Sequence, residues 1–299
     1  MAMLMMLSSE SSVDVKAITC VNGNTGLRNV TRNVLKTLTI AGRLEIPVYA
    51  GSEDAMVYTV ATDSYFGEDG FGDFDFPEPN PDYVSQTPAA QALVQMVKES
   101  PGEIMLVALG PLTNVALAIH LYPSFLKELR GIVILGGSYK GGGNVKPGVE
   151  FNMYADVEAA DFVFSKATKD APIRVVPLET VEAASFPMSF RRNKLGAIPS
   201  PIMDFLNNAE RIAIKKSKDT WMAFDQLTAA VVLQPSIVKG IEKREVRVET
   251  GGRYARGVWV LDNRPSAKEG PIHIVTSVNQ SKFRQLLLKN LAWVPNSTT

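Results

Sequence analysis

The sequence predicts an open α/β fold: a mostly parallel sheet with flanking helices and antiparallel additions at one edge. Three observations predict it. EIMLVALG (103–110) and GIVILGG (131–137) are continuously apolar, as strands covered on both faces are. Segments with helical spacing alternate with such strands from residue 13 onward. The end of the chain is instead rich in strand-like pieces, REVRVET, RGVWVLD and IHIVTSV.

Each element has its own signal. VDVKAITCV (13–21) reads as a buried strand, followed by the turn NGNTG (22–26). Leu27, Val30, Val34, Leu35 and Leu38 repeat at helical spacing up to Ala41, and Gly42 supplies the C-terminal stop. IPVYAG (46–51) is a second strand, and 62–87 is a long polar loop. Thr87-Pro88 opens a helix over PAAQALVQMVKE as N-cap and N1 proline. A helix over 112–121 and a strand at IRVVPLE (173–179) follow, with helices through most of 198–234. Asn279 or Ser281 caps a last helix, KFRQLLLKNLA. No linker or repeat interrupts the pattern, so 1–294 reads as one domain and 295–299 as a tail.

Composition narrows the function. The 299 residues carry 31 Lys plus Arg and 31 Asp plus Glu, which disfavours nucleic acid and anionic membrane as partners. One cysteine, Cys20, excludes an internal disulfide. Two histidines leave little material for a histidine-rich metal site or a Ser-His-Asp triad. MAMLMML (1–7) lacks the flanks of a signal peptide and reads as the second half of a helix.

Polar residues mark four candidate sites. VEFNMYADVEAA (149–160) reads as a strand carrying Glu150 and Asn152 on one face, with Asp156 capping the next helix; both groups face either a ligand or solvent. Asn22 and Asn24 follow a buried strand, in a ligand-facing position or an ordinary turn. FGEDGFGDFDF (66–76) is a carboxylate-rich loop that either holds a hard cation or is simply solvated. Asp225 is the only acid of the apolar helix MAFDQLTAAVVL, so it requires a cation or a hydrogen-bonded role at the helix start. SYKGGGNVKPG lacks dinucleotide or P-loop spacing and reads as a flap or surface loop.

In order, ITCVNGNTG with TRN, IPVYAG, FGEDGFGD, LVALGPLTNVALA, ILGGSY, EFNMYADVEAA and FDQLTAA resemble the inosine-uridine-preferring nucleoside hydrolases across roughly the whole chain. The resemblance implies a Rossmann-like sheet and hydrolysis of the N-glycosidic bond of ribonucleosides to ribose and free base. It implies a Ca²⁺ at the pocket floor that binds oxygen ligands and an activated water. By motif position, Asn24, Glu150 and Asn152 would hold the ribose, while Asp225 and the Leu109 carbonyl would bind the ion. Phe66 and Phe224 stand where the family commonly has histidines; they can stack on a base but cannot donate a proton. The absence of a targeting signal points to the cytoplasm, and the resemblance implies a homodimer or homotetramer.

The family's opening central strand, ending Asp-x-Asp-x-x-x-Asp-Asp, has no counterpart in the sequence. This predicts an N-terminally truncated member, with most calcium carboxylates and the catalytic base missing. The alternative is a non-catalytic ribose- or nucleoside-binding protein on the same scaffold.

Overall fold

The computed structural model describes residues 1–295 apart from 9, 10, 218 and 265, so residues 296–299 of the expected tail lie outside the described residues. Elements in the first half are Ala2–Leu7 (α1), Ile18–Thr19 (β1), Leu27–Ala41 (α2), Val48–Tyr49 (β2), Val84–Ser85 (β3), Ala89–Glu99 (α3), Met105–Ala108 (β4), Thr113–Leu121 (α4), Phe125–Glu128 (α5) and Gly131–Leu135 (β5). Phe151–Ala155 (α6), Val157–Ser165 (α7), Ile173–Val176 (β6), Leu178–Ala183 (α8), Phe186–Pro187 (β7), Met188–Phe190 (α9), Pro201–Ala209 (α10) and Arg211–Lys216 (α11) come next. Thr220–Trp221 (β8), Phe224–Leu233 (α12), Val238–Arg244 (β9), Val246–Val248 (β10), Trp259–Leu261 (β11), Ile272–Val278 (β12) and Gln280–Leu291 (α13) complete the set.

The larger sheet has the order β4-β5-β6-β12-β9, parallel through β12 and antiparallel at β9. A second parallel sheet has the order β1-β2-β3. IHIVTSV therefore differs from the expected antiparallel addition: it enters the parallel sheet beside β6, with Ile272 opposite Ile173. Ile132, Ile134, Ile173, Val175, Ile272 and Ile274 face one apolar cluster. Val133, Leu135, Val176 and Val275 alternate with them into the other. Burial on both faces is the physical reason that these strands read as unbroken apolar runs.

Helix ends follow local chemistry. Gly42 closes α2 with φ of 63°, its N–H bonding the carbonyls of Leu38 and Thr39. The Asn279 side chain accepts from Lys282 N at the start of α13, so Asn279 is the cap. Pro88, not Thr87, precedes the first helical residue of α3, because Pro88 itself is extended. Only Ile18–Thr19 of the 13–21 run forms a ladder, with β2 as partner. Leu178 and Glu179 leave the expected strand for α8.

The acidic loop is held by its own carboxylates. Asp73 accepts from Glu68 N and Asp69 N at 3.1 and 2.9 Å. Asp69 accepts from Phe71 N and Asp73 N at 2.7 and 3.0 Å. Arg211 donates to the carbonyls of Gly72 and Asp73. Lys36, buried on α2, reaches Asp69 at 3.5 Å beneath the rings of Phe71 and Phe74. The loop's charge thus goes into structure.

Candidate active site

The site is assembled at the C-terminal ends of the parallel strands, the ligand side of such sheets. After β5, Gly136 and Gly137 carry the chain past Glu150 with φ of 149° and 81°. A Cβ on Gly137 would meet the Trp259 ring at 1.8 Å, so only glycine fits there. Glu150 caps α6: its Oε2 accepts from Gly137 N at 2.9 Å, Asn152 N at 3.0 Å and Met153 N at 3.3 Å. This corrects the strand reading of VEFN. Glu150 and Asn152 meet because a helix begins between them, with Asn152 in its first turn.

Asn152 donates through Nδ2 to Leu135 O at 3.1 Å and Leu109 O at 3.2 Å, joining the ends of β5 and β4. Those two carbonyls fix the amide's orientation and leave Oδ1 as a free acceptor face. Burial pushes the Glu150 carboxyl up to about 7, against the three backbone N–H groups and aided by the Asp225 charge. Asp225, in the first turn of α12, is likewise raised by burial; the Met1 amine opposes this and Glu210 adds to it. Asp225 makes no hydrogen bond or ion pair among the described residues. Burial thus disfavours a charge on either carboxylate, and the Asp225 charge adds a smaller push to Glu150.

This has a measurable consequence. The folded Glu150 pKa lies above its ordinary 4.5, so between 4.5 and about 7 the folded chain keeps a proton that the unfolded chain releases. Its contribution to stability is complete below the unfolded value and is lost as pH rises through 7, by about 3 kcal/mol at most. Denaturant midpoints should rise as pH falls from 8 to 6, and Glu150→Gln should remove this slope. An unchanged slope in Glu150→Gln would assign it to other groups.

The expected Asp156 cap is joined by long-range contacts around this wall that the sequence does not show. Asn114 accepts from Ser52 N at 3.0 Å and donates to Cys20 O at 2.7 Å, tying α4 to the ends of β1 and β2. Asp156 caps α7 through Ala159 N and also accepts from Thr113 Oγ1 at 2.6 Å and Met56 N at 3.0 Å. A small cleft lies here between Val21, Asn22, Ser52, Asp54, Pro111 and Thr113, and the Asn22 Oδ1 is buried without a partner. The signal was the Thr-Asn pair directly after the strand-ending LGPL.

Asn24 is at the end of β1 but is engaged outward: Nδ2 donates to Asp63 at 3.0 Å, and its carbonyl accepts from Asp63 N. Phe66 is half-buried against Tyr65, with ring centroids 4.8 Å apart. Phe224 packs partly into the core at the start of α12. The two rings make no contact with each other. Cys20 is buried, and its thiol is pushed up to about 12, which makes it inert at neutral pH.

The expected calcium does not fit the residues present. Calcium takes six to eight oxygens. Asp225 is one carboxylate, and the Leu109 carbonyl already accepts from Asn152. Among the described residues no group of three His, Cys, Asp or Glu is placed to hold a metal.

A sheet of this order, parallel but for one edge strand and flanked by helices, defines an open α/β protein. Residues 1–285 match the profile of the inosine-uridine preferring nucleoside hydrolases. The pyrimidine-specific ribonucleoside hydrolase RihA of Citrobacter koseri is 33% identical over 94% of this chain and 90% of its own length. Probable uridine nucleosidase 2 of Oryza sativa subsp. japonica is 35% identical, over 93% and 86%. A solved plant nucleoside hydrolase superposes with a TM-score of 0.88 at 30% identity, covering 97% of this chain and 94% of that one. The chain belongs to the inosine-uridine preferring nucleoside hydrolase family, whose members are glycosidases acting on N-glycosyl bonds.

Proposed function

We propose that this protein takes a ribonucleoside sugar-first against Glu150 and Asn152, and that its scaffold serves hydrolysis of the N-glycosidic bond to ribose and free base. The observation that carries this reading is the α6 cap. It turns one carboxylate oxygen into an anchored acceptor and leaves the other, with Asn152 Oδ1, to receive sugar hydroxyls. Cleavage of such a bond passes through an oxocarbenium-like state, and a carboxylate beside the sugar stabilises developing positive charge. Asp225 is the second carboxylate of this wall.

One observation favours a second reading, sugar binding without turnover. Glu150 is locked by three N–H groups, and Asp225 makes no hydrogen bond or ion pair among the described residues. A carboxylate held in a helix cap is a poor general base, and general base catalysis is typically worth ~10²–10⁴-fold. A reducing-sugar assay on inosine and uridine, run beside a ribose titration, separates the readings. Sugar release supports hydrolysis by this chain. Binding without release supports the binding protein. A chain that neither binds nor cleaves defeats both.

A further inference from the structure

The opposite end of the larger sheet, where its parallel strands begin, gathers basic side chains that the nucleoside site does not use. Val133, Arg174, His273 and Lys243 occupy one cross-strand row, each opposite the next. Directly opposed residues project from the same face, and opposed like charges are unfavourable. Lys243 has a carboxylate, Glu269, at 3.2 Å. Arg174 has no ion-pair partner among the described residues, and its Nε is buried without a hydrogen bond. Buried donors of this kind are rare in folded proteins and call for a partner.

The row opens on a cleft of about 170 Å³ lined by Arg130, Asp170, Arg174 and His273, with Met105 and Leu129 among its apolar walls. Asp170 and Arg130 are exposed at its edge. Burial, then the charges of Lys243 and Arg174, hold the His273 imidazole below its ordinary pKa, with Glu269 opposing. The surroundings are therefore electropositive, and basic groups outnumber acids.

We propose that this cleft binds an oxyanion of the phosphate class, with Arg174 and His273 as its principal donors and Arg130 at the entrance. A guanidinium presents paired N–H donors that match phosphate oxygens. The volume exceeds what one oxyanion needs, since a water's share of liquid volume is about 30 Å³. The apolar walls would then receive the organic part of a phosphate monoester. Inorganic phosphate is the other source of the same chemistry. The site is independent of the ribose reading, because it lies at the strand ends remote from Glu150.

Calorimetry on the full chain in phosphate-free buffer at low salt tests this with inorganic phosphate and phenyl phosphate, neither of which carries a sugar. Saturable 1:1 binding is expected, weakened roughly tenfold or more by Arg174→Met and several-fold by His273→Gln. Tighter phenyl phosphate binding identifies a monoester as the occupant, and equal binding identifies free phosphate. If Arg174→Met melts abnormally, Arg174→Lys and His273→Gln decide. No saturable binding of either probe, or binding that these variants leave unchanged, overturns the site.

Discussion

Gly137→Ala is expected to lower stability by about 3 kcal/mol or more and to abolish ribose binding. Two costs coincide at this position. The backbone has φ of 81°, where a non-glycine residue costs ~1–3 kcal/mol. The new Cβ would also stand 1.8 Å from a Trp259 ring carbon, and that ring is buried. Overpacking of this kind typically costs ~1–3 kcal/mol. Any backbone shift that relieves the clash moves Gly137 N away from Glu150, so the acid loses an anchor. Thermal melts should show a drop of about 6 °C or more. A melt within 1–2 °C of the parent, with ribose binding intact, would contradict the placement of this turn.

Lys36→Ala is expected to cost about 3 kcal/mol, a large fraction of the ~5–15 kcal/mol that folded domains have. Lys36 is 2% exposed, its stem lies among core residues, and its ammonium sits at 3.5 Å from Asp69 near the Phe71 and Phe74 rings. Truncation opens a cavity and leaves Asp69 without its cation, and both effects destabilise. Lys36→Met fills the same volume and should cost about half as much. The difference between the two variants in denaturant titrations separates packing from charge. Equal stability of Lys36→Ala and the parent would show that the loop is held by Arg211 and its own carboxylates alone.

These two positions also show what the sequence could reveal. β5, β6 and β12 were readable because both faces are largely buried, whereas β4 reads as the same apolar run although none of its residues is fully buried. The stop at Gly42 and the start at Asn279 were readable because capping depends on a single residue. Lys36 was not, since a lysine on an amphipathic helix has the pattern of a surface residue. Its aromatic cover comes from a loop more than 30 positions away. Glu150 was assigned to a strand because Glu-Phe-Asn alternates and glutamate is not a preferred N-cap. The cap forms because Gly137, thirteen residues earlier, adds its N–H to the same oxygen. Asp156 was readable as the cap of α7, but the long-range partners of Asn114 and Asp156, namely Cys20, Ser52 and Met56, were hidden because they are distant in sequence. The motif residues were legible by resemblance, whereas the contacts that orient them required the fold.

The central claim is that Glu150 and Asn152 form the sugar-holding wall, and a calorimetric titration with ribose tests it most directly. The parent chain is compared with Glu150→Gln and Asn152→Ala, each checked for folding by its thermal melt. Saturable binding by the parent, weakened roughly tenfold or more in each folded variant, is the predicted result. Equal affinity in all three proteins, or no binding by the parent, would contradict it.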